Sequence, residues 1–281
     1  MHRAPFVLVL ACGFFLLSPL PAAGSEPLIE QVKKAVVFVG RLHQQGKRQI
    51  LEIKATGCLL NIEGINHLLT VRHLLLSDPR NESSSVNDRN LVIMLNKQDG
   101  TVGYLKIEQV KKQGADWVFH SNPQVDLAVI PVLLDTQREK ITLIPDSLFF
   151  GPEGLHELDD VFYLSFQPGV AFDKGVLPAI RKGAISRINA DGTFLIDGFT
   201  FRGNSGSPVF LTPTPFHLNA RGTIESGDDG RGGRFIGIIG GYVKDREKAN
   251  TGLSMVWPTQ LIREVVNSDA FQAQIAKLKP R

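Results

Sequence analysis

Residues 201–208 read Phe201-Arg202-Gly203-Asn204-Ser205-Gly206-Ser207-Pro208. A hydroxyl is a poor nucleophile unless its backbone projects the oxygen into a cleft. Glycines on both sides of Ser205 permit the tight turn and close substrate approach that this demands. The same turn can aim the backbone N–H groups of Gly203 and Ser205 at one point, as an oxyanion hole requires. One such donor is worth about 10²–10³ in rate. Taken alone, the octapeptide also fits an ordinary Gly/Asn/Ser turn. Its meaning depends on what stands upstream.

Two upstream segments supply partners. In Asn66-His67-Leu68-Leu69-Thr70-Val71-Arg72-His73-Leu74 an apolar strand ends at Thr70, and His73 follows at the start of a loop. An imidazole there can face a cleft, take the serine proton and return it to a leaving amine. His67, at the strand's beginning beside the Gly64 turn, reads as a solvated or hydrogen-bonded structural residue. His43, His120, His156 and His217 lack metal-like spacing. The second segment is Val125-Asp126-Leu127-Ala128-Val129-Ile130-Pro131-Val132. An acid directly before an apolar strand is tied to the core by its neighbours, so its carboxylate can orient an imidazole. Asp116 and Asp135 stand in more polar, turn-like settings.

Thr70-Val71-Arg72-His73, Asp126-Leu127-Ala128-Val129-Ile130 and Gly203-Asn204-Ser205-Gly206-Ser207-Pro208 together resemble the three signature segments of trypsin-like serine peptidases, in the family's order. The resemblance covers residues 28 to 278 and implies an all-β fold of two six-stranded antiparallel β-barrels with a C-terminal α-helix. It further implies His73 as general base, Asp126 as its orienting acid and Ser205 as nucleophile. Gly203 and Ser205 would supply the oxyanion amides. The expected activity is serine endopeptidase cleavage of a protein or peptide substrate through an acyl-enzyme, with no cofactor and no metal. A non-catalytic binding module on the same fold and an esterase using the same triad are the alternative readings. An α/β-hydrolase is disfavoured, because its chain order is Ser, acid, His, with a Gly-x-Ser-x-Gly elbow.

Departures from the animal members narrow the branch. Their disulfide beside the histidine cannot form, because Leu74 occupies the later cysteine place although Cys58 stands at the earlier one. Asn204 replaces the aspartate that receives a new N-terminal amine in animal zymogens. The pattern is closer to bacterial secreted or periplasmic relatives, including the HtrA-type and glutamyl-endopeptidase-like branches. Too little chain follows the last expected strand for an appended PDZ domain. The specificity pocket falls on Phe199, Thr200 and Ile239, which suits an uncharged substrate side chain and gives no support to Lys, Arg or Glu preference.

The rest of the chain agrees with a secreted β protein. Arg3, the apolar run Phe6 to Leu17 and the small residues Ala22-Ala23-Gly24-Ser25 read as a secretory signal over 1–24. The expected location is secreted or periplasmic, with no membrane span after signal removal. Cys12 leaves with that signal, so Cys58 is alone in the mature chain, in the apolar context of a buried small hydrophobe. Net charge is +3 without a dense basic run, which argues against nucleic acid as a partner.

Short apolar runs separated by Gly, Asn, Asp and Pro predict strands at 35–39, 49–53, 58–62, 67–71 and 91–95. Five more are predicted at 127–132, 161–166, 193–196, 208–211 and 235–239. The first barrel is expected over 28–140, the second over 141–257, and a helix over 258–281 opening on Pro258. Loops are predicted at Ser77 to Arg89, which holds the formal glycosylation triplet Asn81-Glu82-Ser83, and at Thr212 to Arg234.

Overall fold

A computed structural model describes residues 26–278, apart from 79–80, 82–83, 170–174, 215, 219–223 and 227–229. The expected signal, 1–24, lies outside the described residues, as do parts of both predicted loops. Among the described residues, no helix is long and apolar enough to cross a membrane.

A short helix, α1 (Leu28–Ala35), leads into β1 (Val36–Gln45), β2 (Arg48–Ile62) and β3 (Ile65–Thr70). There follow β4 (Leu91–Asn96), β5 (Val102–Lys106), α2 (Ile107–Lys112), β6 (Val118–Phe119), β7 (Ala128–Pro131) and β8 (Ile144–Pro145). These strands form one eight-stranded sheet in the order β5-β4-β1-β2-β3-β7-β6, with β8 pairing β2. The expectation here was a six-stranded barrel. Among the described residues the sheet's hydrogen-bonded path runs from β5 to β6, and the all-β architecture agrees with the expectation while closure is less clear here than in the second half.

The second half is the closed six-stranded barrel. It consists of β9 (Asp160–Ser165), β10 (Ala179–Ile188), β11 (Phe194–Asp197), β12 (Pro208–Leu211), β15 (Phe235–Lys244) and β16 (Asn250–Pro258). A separate hairpin of β13 (Phe216–Leu218) and β14 (Ile224–Ser226) sits between β12 and β15. The chain ends in α3 (Thr259–Val266) and α4 (Asp269–Leu278).

Two apolar cores hold this together. A smaller one fills the closed barrel, with Val161, Ile185, Ile196, Val209, Ile239 and Val256 all wholly inaccessible. The larger one belongs to neither half alone: Leu59, Leu69 and Val129 of the first sheet pack in the same cluster as Phe210, Phe235 and Ile238 of the second. Phe271 and Ile275 of α4 join it. Burying apolar side chains such as these contributes about 1.5–3 kcal/mol each.

His67 departs from its expected setting. It is fully buried under α4, its ring 4.9 Å from that of Phe271, and neither ring nitrogen has a hydrogen-bond partner.

Candidate active site

The pairing of β3 with β7 brings His73 and Asp126 together. These strands run antiparallel with Thr70 opposite Ala128, so the residues just past Thr70 lie beside those just before Ala128. After Thr70 the chain makes one 3₁₀ turn, Arg72–Leu74, which carries His73. Asp126 is held between the buried side chains of Val125 and Leu127, which fix it against the core. Its carboxylate grips the histidine twice. Oδ1 accepts the His73 backbone N–H at 2.7 Å, and Oδ2 lies 2.6 Å from Nδ1. A carboxylate only accepts, so the Nδ1 nitrogen carries the proton and Nε2 keeps its lone pair. Burial by itself pulls the imidazole pKa down, but the hydrogen bond and charge of Asp126 outweigh it, and the net shift is upward from 6.5.

Ser205 comes from the other half, in the turn between β11 and β12. Gly203 and Gly206 there have φ of +92° and +87°, which favours glycine. Gly206 has a second constraint: a Cβ would stand 2.0 Å from the Thr56 carbonyl oxygen. The turn is therefore seated directly on β2.

Its peptides are clamped alternately. The Gly203 carbonyl accepts from the Thr56 hydroxyl at 2.8 Å, and the Asn204 N–H of the same peptide donates to Phe201 O at 3.0 Å. The Ser205 carbonyl accepts from the Thr56 N–H at 2.9 Å, and the Gly206 N–H donates to Ile239 O at 2.7 Å. Among the described residues, the N–H groups left without an acceptor in Gly203-Asn204-Ser205-Gly206 are those of Gly203 and Ser205. No hydrogen bond joins His73 to Ser205 in this structure.

Three residues of this arrangement were given no structural role from sequence. Thr56, Thr70 and Asn204 are all fully buried. The Asn204 amide donates to Phe166 O at 3.0 Å and accepts from the Phe201 N–H at 2.8 Å, so it braces the turn without charge. The available signal was a polar Thr56 inside an otherwise apolar run. The residues assigned to the pocket are spread out. Ile239 is wholly inside the barrel core. Thr200 is also buried, and its hydroxyl donates to Ser254 Oγ at 2.8 Å, since Ser254 spends its own proton on Gly198 O. Phe199 is 56% exposed, stacked beside Phe201, and lines a cleft of about 580 Å³ with Tyr163, Arg181 and Asp197.

The description "Trypsin-like peptidase domain" matches residues 55–213, a span that runs from β2 through the serine turn to the end of β12. The chain belongs to the trypsin-like peptidase family. Among curated proteins none matches it. This trypsin-like peptidase resembles the solved structure of an HtrA-type protease, AlgW, with a decapeptide, at 16% identity and a TM-score of 0.52. It resembles equally the serine endoprotease from Yersinia pestis, at 18% identity and a TM-score of 0.51. The matches cover 88% and 89% of this chain but only 66% and 65% of the other two. The likeness at this identity concerns the fold.

Proposed function

We propose that this trypsin-like peptidase is a serine endopeptidase in which Ser205 attacks the scissile carbonyl. The observations that carry the reading are the doubly held His73–Asp126 pair, three residues past the Thr70 that bonds Thr56, and a serine turn seated on the same Thr56 that leaves the Gly203 and Ser205 amides disengaged. His73 Nε2 takes the Ser205 hydroxyl proton as the Oγ–carbon bond forms. The two amides stabilise the resulting oxyanion, and Asp126 stabilises the imidazolium. The imidazolium then gives its proton to the leaving amine as the C–N bond breaks, leaving an acyl-enzyme. Water then attacks the acyl carbon as the same nitrogen takes its proton, and that proton passes to Ser205 Oγ as the ester C–O bond breaks and the acid product leaves. A missing His73–Ser205 hydrogen bond is compatible with this, because such bonds often tighten only in the substrate complex. That same gap is what a binding module with an idle triad would show.

Labelling separates the two. A fluorophosphonate probe should modify the protein at Ser205, and Ser205→Ala should not react. Ser205→Ala and His73→Ala should each lower peptide turnover by a similar factor, on the order of 10⁶, because the triad acts as a unit. No labelling of folded parent protein would favour the binding module, and a His73→Ala variant near parent rate would assign the base elsewhere.

For specificity, Phe199 is the one assigned pocket residue that is solvent-exposed, and no acid stands at its position. We expect cleavage after uncharged residues from a mixed peptide library. Dominant cutting after Lys, Arg or Glu would contradict this.

A further inference from the structure

Thr56 lies on β2 between fully buried neighbours, where a hydroxyl is costly unless both its proton and a lone pair are used. Both are used here. The hydroxyl donates to Gly203 O at 2.8 Å and accepts the Phe166 N–H at 2.9 Å. The main chain of the same residue reaches the reaction's other side. Its carbonyl accepts the Thr70 hydroxyl at 2.9 Å, three residues before His73, while its N–H holds the Ser205 carbonyl at 2.9 Å.

We infer that Thr56 is a positioning residue for catalysis, its hydroxyl fixing the Gly203–Asn204 peptide so that the oxyanion amides and Ser205 stay in register with His73. The assignment builds on the reading of Ser205 as nucleophile. Its physical basis is the geometry of a single peptide unit. With its carbonyl held by Thr56 and its N–H by Phe201, the Gly203–Asn204 unit cannot rotate. Without the hydroxyl, the buried Gly203 carbonyl loses its partner. The glycine's wide conformational range then lets the unit turn towards another donor. Such a rotation would disturb the two neighbouring N–H groups that the proposed oxyanion hole uses. The His73–Asp126 pair, bonded only within the first half, is left intact.

Thr56→Val removes the hydroxyl at nearly constant volume, and Thr56→Ser keeps it. Thr56→Cys, with a weak donor, is the graded intermediate and the fallback should the valine variant not fold. In Thr56→Val, kcat and the rate of fluorophosphonate labelling should fall about 100-fold, as expected for a misplaced reacting group, with KM within about twofold. Thr56→Ser should retain activity within about threefold, and Thr56→Cys should fall between. The acid limb of the pH–rate profile should stay in place in all three variants, which a general loosening of the fold would not allow.

Amide hydrogen exchange gives a readout independent of chemistry. Protection of the Asn204 N–H should drop at least tenfold in Thr56→Val and recover in Thr56→Ser. Parent protein that does not label would remove the nucleophile reading, while exchange would still decide on Thr56. Unchanged Asn204 protection, or equal loss in the serine and valine variants, would overturn the inference.

Discussion

On the proposed mechanism, Asp126 sets the pH at which His73 can act as a base. Its hydrogen bond and charge favour the imidazolium more than burial disfavours it, so the histidine stays protonated to a higher pH than a free one. A general base must be neutral, so the acid limb of kcat/KM should lie above pH 6.5. Asp126→Asn removes both raising effects and leaves burial alone. The limb should then move below 6.5, while kcat falls about 10³–10⁴-fold because the tautomer is no longer imposed. A pH–rate profile checks this, and a limb that does not move would mean another group holds the histidine. The stability linkage has a definite sign. His73 contributes to stability below about pH 6.5, and that contribution disappears as pH rises through its raised folded value. Single residues were partly legible from the sequence: His73 at a strand end and Asp126 before an apolar strand were read as partners, and the structure does pair them. Thr56 was not legible, because its hydroxyl bonds to residues 110 and 147 positions away.

At the scale of elements, β3 carries two histidines in opposite circumstances. His73, just beyond its end, has a carboxylate; His67, inside it, has only the Phe271 ring of α4 and no polar partner. Burial pushes the His67 pKa down to about 4, and the Ile65 backbone, outside hydrogen-bond geometry, opposes this only weakly. The unfolded chain therefore binds this proton more readily than the folded one. Stability is whole above about pH 6.5 and is lost as pH falls towards 4, by roughly 3 kcal/mol over the window. Urea unfolding at several pH values should show this slope in the parent and not in His67→Leu. Equal slopes in both would place the acid sensitivity elsewhere.

Elements were only partly legible from the sequence. The runs 49–53 and 58–62 are one strand, β2, because Lys54-Ala55-Thr56-Gly57 lacks turn chemistry, and the register shift at Val39/Gly40 of β1 absorbs the bend. The single C-terminal helix is two, broken at Asn267-Ser268, where the Ser268 hydroxyl donates to Val265 O and accepts the Phe271 N–H. Strand β10 escaped notice because Ala179–Ile188 is half-exposed with little alternation.

For the molecule as a whole, the shared core decides how it comes apart. Phe210 and Phe235 of the barrel pack in one cluster with Leu59 and Val129 of the first sheet, and α3 and α4 return from the barrel to cover that sheet. Neither half can lose its packing without exposing the other's. Thermal unfolding should be a single transition with matching calorimetric and van't Hoff enthalpies. Two resolved transitions would mean the halves are independent.

Cys58 lies two residues along β2 from Thr56, wholly inaccessible, with its thiol pKa raised by burial. Thiol-directed reagents cannot reach it while β2 remains between β1 and β3. The chain therefore contains a built-in clock. In the chain lacking residues 1–24, the rate at which an added disulfide reagent consumes this thiol measures how often the strand that seats the serine turn swings open, with no label introduced and no substrate needed.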